Sequence, residues 1–369
     1  MSNRLSPTEL FASSPSSPEL TDRPWKVDWS GSTEKPIDLL RESLPSRTRF
    51  STSGSTGAPR PWFRTREQLL SEAGMLADLL SESSPEAIVT FAPPQHVYGM
   101  LAGVLMPALL GVPVWYVPRF APLPPVGPRR WGVVAIPWTF PILLRRGAWL
   151  DEADHLAFLH STSVLPGSAV ELMGGLGGKA TLTEVFGSTE TGGVAHRRWG
   201  PGNSPWHLFP DVEFGESVDG PGEEARLIVR SPRLAAPERG TAIRERRMDD
   251  HVIRLGERSF AFAGRRTRLV NVNGHRLDLE SMETRLREIV RCEDLACVPI
   301  GDPMTGEHFE LLIAPGAEVP PTQETLSEAV AAIEYRPRAV RVVERIDRSE
   351  TGKLRRVQSA HVRSEGADA

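Results

Sequence analysis

Residues Phe50–Trp62 read FSTSGSTGAPRPW, and the six from Ser53 to Ala58 are all small, two of them glycine. Such side chains pack little apolar surface. A flexible linker has this composition, because Gly and Ser leave the chain free to sample many conformations. An anion cradle has it too, because small residues let backbone N–H groups close around a phosphate while hydroxyls add donors. The stretch lacks the Gly-x-x-x-x-Gly-Lys-Ser/Thr pattern of a Walker loop. Its surroundings must separate the two readings.

Working outward, Thr65–Ser81 (TREQLLSEAGMLADLLS) carries Leu69, Leu70, Met75, Leu76, Leu79 and Leu80 at helical spacing, with Thr65 and Gln68 placed as a capping box. AIVTFA (Ala87–Ala92) is a short apolar run that suits a buried strand. Val97–Val117 approaches the length of a membrane span, but Pro107, Pro113 and its glycines interrupt it. It reads as a buried helix, a turn at Gly111 and a buried strand over Val112–Val117. Trp131–Pro137 is a further strand with a helix over Phe140–Arg146, while LAFLHSTSVLP and ATLTEVFGSTETGG each read as a strand running into a polar turn.

This alternation predicts an α/β fold: a large N-terminal domain with a helix-covered, mainly parallel sheet. Ligands of such sheets lie at the carboxyl ends of strands, where the Ser/Thr/Gly turns fall. Residues 1–46, rich in Ser, Pro and charge, read as a flexible arm with one short helix near Asp38–Ser43. After Gly264 the pattern becomes a strand and turn (TRLVNVNG), a helix (DLESMETRLREIVR), a strand (FELLIA), a helix (ETLSEAVAAIEY) and a strand (AVRVVERI). The expected organisation is an arm at 1–46, a large domain at 47–264, a hinge at 265–267 and a small mobile α+β domain at 268–369.

Bulk composition narrows the function classes. Apolar residues make up 40% and charged residues 24% of 369, ordinary for a soluble globular protein. A net charge of −4 gives no electrostatic case for nucleic-acid binding. The two cysteines, Cys292 and Cys297, make no disulfide framework and fit a reducing compartment. No apolar signal core opens the chain, so a cytoplasmic location without a membrane span is expected. The histidines form no ligand-spaced set.

Company in sequence order then decides the opening question. TSGSTGAPR (Thr52–Arg60) resembles the phosphate loop of the adenylate-forming superfamily, which holds acyl-CoA synthetases, peptide-synthetase adenylation domains and luciferases. PPQHVYGM (Pro93–Met100) is similar to that family's Pro-x-x-His-x-x-Gly segment, and VFGSTETGG (Val185–Gly193) to its Tyr-Gly-x-Thr-Glu motif. Asp249–Glu283 resembles the stretch with the ribose Asp and the Gly-Arg approach to the hinge, and DRSETGKLRR (Asp347–Arg356) the terminal Gly-Lys motif.

The resemblance implies an ATP-dependent carboxylic acid ligase that forms an acyl-adenylate, then a thioester on CoA or on the phosphopantetheine of an acyl carrier protein. Two anions must meet, so catalysis rests on positioning and charge neutralisation. Ser53, Gly54, Ser55, Thr56, Gly57 and Arg60 would hold the β- and γ-phosphates of ATP, Thr189 the α-phosphate, and Glu190 a Mg²⁺ ion. Phe186, with Gly187 and Ser188, would stack on adenine, opposite Ser163, Val164 and Leu165. Asp250 would accept the ribose hydroxyls and Arg265 would add a donor. Lys353 would bridge the incoming carboxylate and the α-phosphate. His96 would gate the acyl pocket, bordered by Tyr98, Gly192 and Gly193.

Departures sharpen the expectations. Phe186 stands where Tyr is usual, Arg60 where Lys is usual, and Thr267 and Asn271 where charged residues are common. About fifty residues precede the phosphate loop, fewer than in full-sized relatives, which implies an open pocket or a sheet edge covered by self-association as a homodimer. The run TGGVAHR after Glu190 is similar to stand-alone ligases of aryl-polyene pigment clusters and favours a small aromatic acid such as a hydroxybenzoate. The alternatives are a fatty acyl-protein synthetase and a non-catalytic nucleotide-binding protein. Basic segments at Arg336–Arg341 and Arg355–Arg363 suit an acidic carrier protein as well as a solvated face.

Overall fold

The computed structural model describes residues 3–30, 35–51, 60–119, 121–125, 127–163, 165–200, 202, 204–216, 222–238, 243–265, 269–272, 275–290, 292–302, 306–315, 321–333, 335–348 and 354. The chain divides into two compact units, one comprising Met1–Thr52 and Pro59–Leu269 and the other made mainly of the chain from Val270 onward. Thr267 and the residues from Thr52 to Pro59 lie outside the described residues.

The first unit is built on one sheet of thirteen described strands. In spatial order they are Asn3–Leu5, Trp25–Val27, Val114–Tyr116, Ala87–Thr90, Arg130–Ala135, His155–His160, Ala180–Ser188, Gly192–Arg198, Trp206–Leu208, Ser259–Arg265, Glu245–Arg254, Glu224–Arg230 and Glu213–Phe214. From Val114–Tyr116 to Ala180–Ser188 every pairing is parallel. These strands are continuous buried runs, as the sequence reading requires of strands covered on both faces. From Ala180–Ser188 to Glu213–Phe214 every pairing is antiparallel, so the sheet is mixed, and this second half is absent from the sequence reading.

Local chemistry explains the helices. Arg66–Ser81 starts on a complete Thr65–Gln68 capping box and buries Leu69, Leu76 and Leu80. Val97–Leu110 is helical throughout with a π-segment at Leu101–Leu105, and Gly111, at φ +67°, ends it in the left-handed region. A Cβ on Gly103 would meet Thr90 Oγ1 at 2.7 Å, so this helix rides directly on the strand Ala87–Thr90. Among the described residues no helix is long and apolar enough to cross a membrane.

The expectation of a flexible arm over 1–46 needs correction. Trp25–Val27 pairs antiparallel with Val114–Tyr116, and Asn3–Leu5 runs parallel outside it, so these strands cover the sheet edge. Leu10, Leu20, Trp25, Val27, Trp29 and Leu40 are all buried, and Trp25 stacks on Tyr116 at 5.4 Å. The Ser and Pro content that suggested disorder serves helix starts instead. Ser6 caps Pro7–Ala12 with Glu9, while Pro18 and Pro36 open their helices.

Arg47–Ser51 and Pro61–Thr65 pair antiparallel in a small separate sheet, with Phe50 opposite Trp62 and Ser51 opposite Pro61. The strands that flank the Gly/Ser stretch therefore pair with each other, while the stretch itself lies outside the described residues. The second unit packs helices Leu279–Ile289 and Gln323–Ala332 with an antiparallel pair, Asp294–Asp302 and Gly306–Ala314, joined in parallel by Val340–Val342. Its own core includes Leu286, Leu295, Phe309, Leu311 and Ile313.

Candidate active site

Three segments meet at the carboxyl ends of the parallel strands. The helix Val97–Met100 begins at His96, and the buried Tyr98 hydroxyl donates to Leu159 O at 2.6 Å. Burial pushes that hydroxyl's pKa well above its ordinary value, so it stays protonated. Ser161 follows the strand His155–His160 and donates from Oγ to Val185 O at 2.8 Å, tying this turn to the neighbouring strand. Thr162 sits at φ +86°, a region that costs a β-branched residue strain and that clusters at ligand sites. His96, Tyr98, Ser161–Leu165 and Phe186–Glu190 thus share one rim, apart from Val164, which lies outside the described residues.

The hairpin turn is the most constrained part of that rim. Ser188 N–H donates to Thr191 Oγ1 at 3.0 Å and Thr191 N–H to Ser188 Oγ at 3.2 Å, a reciprocal closure by two hydroxyls. Gly192 takes φ +71°, and a Cβ there would meet Glu72 Oε2 at 2.4 Å and Arg64 Nη2 at 2.7 Å. A Cβ on Gly187 would meet Gly192 O at 2.1 Å, so the two strands of the hairpin close without room for a side chain. Thr189 and Glu190 project from this frame half-buried, and neither side chain has a partner among the described residues.

On the antiparallel side, Phe186 packs edge-on against Phe262 at 4.7 Å and Trp206 at 6.0 Å. Phe262 is 37% exposed, which leaves an open aromatic corner beside Phe186. Asp250 lies on the next strand, buried to 5% exposure, and its backbone pairs with Arg265. The Arg265 side chain lies outside what is described, as do Ser53, Gly54, Ser55, Thr56, Gly57 and Lys353. Arg60 is exposed at the foot of the Arg47–Ser51 and Pro61–Thr65 hairpin.

Sequence reasoning missed the charged group behind the turn: buried Arg64, Glu72 and Arg233 with the partly buried Asp211. Burial alone would raise the Glu72 carboxyl, but Arg64, Arg233 and the Gly193 N–H together hold it below the usual carboxylate value. A cue was available, because Glu72 interrupts the apolar stripe formed by Leu69, Leu76 and Leu80. His160, at the end of its strand and packed on Phe140, is pushed down to about 3 by burial, with Arg197 adding to the effect, so it is neutral.

The donor set also bears on the Mg²⁺ expectation. Among the described residues no cluster of three or more His, Cys, Asp or Glu side chains could hold a metal. A single carboxylate such as Glu190 fits Mg²⁺, which keeps several waters and takes phosphate oxygens rather than an all-protein cage.

Comparisons with known proteins agree with this geometry. Residues 50–228 match the AMP-binding enzyme family. The 4-coumarate–CoA ligase of Cereibacter sphaeroides is 29% identical over 170 residues, 45% of this chain and 40% of that protein. The anthranilate CoA ligase AuaEII bound to anthranoyl-AMP superposes with a TM-score of 0.68 at 14% identity, covering 83% of this chain and 65% of that one. A benzoate CoA ligase from Burkholderia xenovorans LB400 gives a TM-score of 0.66 at 15% identity, covering 84% and 68%. The match therefore spans less than half the length of the 4-coumarate–CoA ligase. With its sheet and its Ser-Thr-Glu hairpin in place, the chain is similar to the AMP-binding enzyme family over residues 50–228 and has the fold of the adenylate-forming ligases.

Proposed function

We propose that the protein is an AMP-forming acid–thiol ligase: it activates a carboxylic acid with ATP and passes the acyl group to the thiol of CoA. A carboxylate oxygen attacks the α-phosphorus, the bond from that phosphorus to its bridging oxygen breaks, and pyrophosphate leaves. The thiol sulfur then attacks the acyl carbon, AMP departs, and the thiol proton passes to solvent. The observation that carries this reading is the tightly closed hairpin turn presenting Thr189 and Glu190, whose side chains have no partner among the described residues, beside an open aromatic corner at Phe186 and the buried Asp250.

In this reading Thr189 donates to the α-phosphate, where charge builds as pyrophosphate departs. Glu190 holds Mg²⁺, which neutralises phosphate charge when bound. Phe186 offers a stacking face to adenine, and Asp250, with Arg265, fixes the ribose. The Gly/Ser stretch Ser53–Gly57 and Arg60 grip the outer phosphates, His96 and Tyr98 border the acid, and Lys353 neutralises the reacting carboxylate; for Ser53–Gly57 and Lys353 the support is the sequence resemblance. A small aromatic acid is the favoured substrate, because similar proteins are ligases of 4-coumarate, anthranilate and benzoate. An acyl carrier protein is the alternative acceptor.

ATP–pyrophosphate exchange over benzoate, 4-hydroxybenzoate, 4-coumarate, anthranilate and myristate tests the reading. The expected result is exchange that depends on an aryl acid and is abolished in Lys353→Ala. Exchange with myristate alone ends the aromatic assignment. Nucleotide binding without exchange for any acid favours the non-catalytic alternative.

A further inference from the structure

The hairpin turn is held from behind by charges that the proposed chemistry does not use. Glu72 accepts the Gly193 N–H through Oε1 at 2.6 Å, while its Oε2 lies 2.5 Å from Arg64 Nη2 and 2.9 Å from Arg233 Nη1. Arg233 donates to Gly193 O at 2.8 Å and grips Asp211 with Nε and Nη2 at 2.7 and 2.8 Å. The same peptide neighbourhood is therefore fixed on both its N–H and C=O sides. A second layer ties the segment Pro232–Ala235 in: Gln68 Nε2 donates to Pro232 O and Leu234 O, and Ala235 N–H donates to Glu190 O at 2.8 Å.

Arg64, Glu72 and Arg233 are 0%, 3% and 1% exposed. Two guanidinium groups stand against the Glu72 and Asp211 carboxylates, so the cluster is neutral as a whole. A buried ionic cluster is an expensive way to fill a core, since apolar residues of similar volume avoid the desolvation. What it supplies, and apolar packing does not, is direction, because each bond fixes one donor against one acceptor.

We propose that Glu72 is a positioning residue for the Thr189–Glu190 turn, acting through the Gly193 amide and Arg233. The inference rests on the adenylation reading of the turn. Donors and ligands aimed at developing charge lower a barrier only if held in place beforehand, within about half an ångström of the productive geometry. The Glu72 cluster supplies that hold from the side away from the reacting atoms.

The test compares full-length wild type with Glu72→Gln, which keeps an acceptor for Gly193 N–H and removes the charge. Pyrophosphate exchange is measured with the acid of the panel that wild type turns over fastest, alongside amide hydrogen exchange across residues 186–195. The expected result is a kcat at least tenfold lower, a KM for ATP moved less than threefold, and turn amides exchanging at least tenfold faster while the parallel strands keep their protection. Unchanged kcat and unchanged turn protection in the folded variant overturn the proposal. So does a kcat loss that only tracks loss of folded protein.

If Glu72→Gln does not fold, Gln68→Glu carries the comparison, since it keeps the oxygen that accepts Thr65 N–H and removes the donor to Pro232 and Leu234. There a threefold or larger drop in kcat is expected, and no drop counts against the proposal. Wild type that exchanges with no acid removes the ligase reading alone, and the amide measurement then decides whether Glu72 holds the turn.

Discussion

Two turns stand side by side at the end of the parallel strands, and they are built by opposite means. The turn at Ser188–Gly193 is fixed by hydroxyl closure in front and a buried ionic cluster behind. The turn that follows His155–His160 has a side-chain tie from Ser161 to Val185 O and holds Thr162 at φ +86°. The first is ordered by a closed set of side-chain interactions, and the second carries backbone strain at Thr162. On the proposed function, a turn that presents a hydroxyl and a carboxylate toward phosphate needs fixed directions, whereas one that offers a flat backbone surface to a base needs shape.

The largest expected break in this contrast is Glu72→Ala, which leaves Arg64 and Arg233 buried beside a single remaining counter-charge. A loss of about 3–5 kcal/mol in unfolding free energy is expected by chemical denaturation. The sign with pH follows from the depressed Glu72 carboxyl. Its stabilisation is present above the ordinary value of 4.5 and is lost as pH falls through the folded value. Acid titration of stability in wild type should therefore drop more steeply below that point than in Glu72→Gln, and equal slopes would falsify the assignment of Glu72 as ionised.

Next in size is Gly192→Ala, where a side chain meets both a positive φ and the Glu72–Arg64 pair. Roughly 2–4 kcal/mol of destabilisation is expected, with loss of exchange activity in the protein that remains folded. Calorimetry showing an unchanged melting temperature would mean that the turn is looser than described. Ser161→Ala removes one hydrogen bond and should cost about 1 kcal/mol. The smallest effect has the opposite sign: Thr162→Gly releases backbone strain and should stabilise by roughly 0.5–1 kcal/mol. A destabilised Thr162→Gly protein would show that the threonine side chain, and not the turn, matters there.

Legibility followed the range of the interactions. Helix Arg66–Ser81 was readable because its cap and apolar stripe are local, and the parallel strands because each is a dense apolar run. The Gly/Ser stretch, His96, Phe186, Thr189, Glu190, Asp250 and Lys353 were picked out because their residue types recur in a known order. The arm at 1–46 was misread because serine and proline are ambiguous: the residues that mark disordered chains also begin short helices. Glu72 and Arg233 were missed because they are 161 positions apart, and nothing near either announces the other.

By itself the sequence determined the class of the fold, the main parallel strands, and the residues that resemble those of an adenylate-forming site, since these depend on periodicity and on residue type in order. Only the tertiary structure decided that Trp25–Val27 covers the sheet edge, that the sheet turns antiparallel beyond Ala180–Ser188, and that a buried charge cluster backs the Thr189–Glu190 turn. The physical reason is that strand pairing and buried ion pairs are long-range choices. Their free energy depends on which distant partner arrives, and that information is spread over the chain rather than written at either end of the contact.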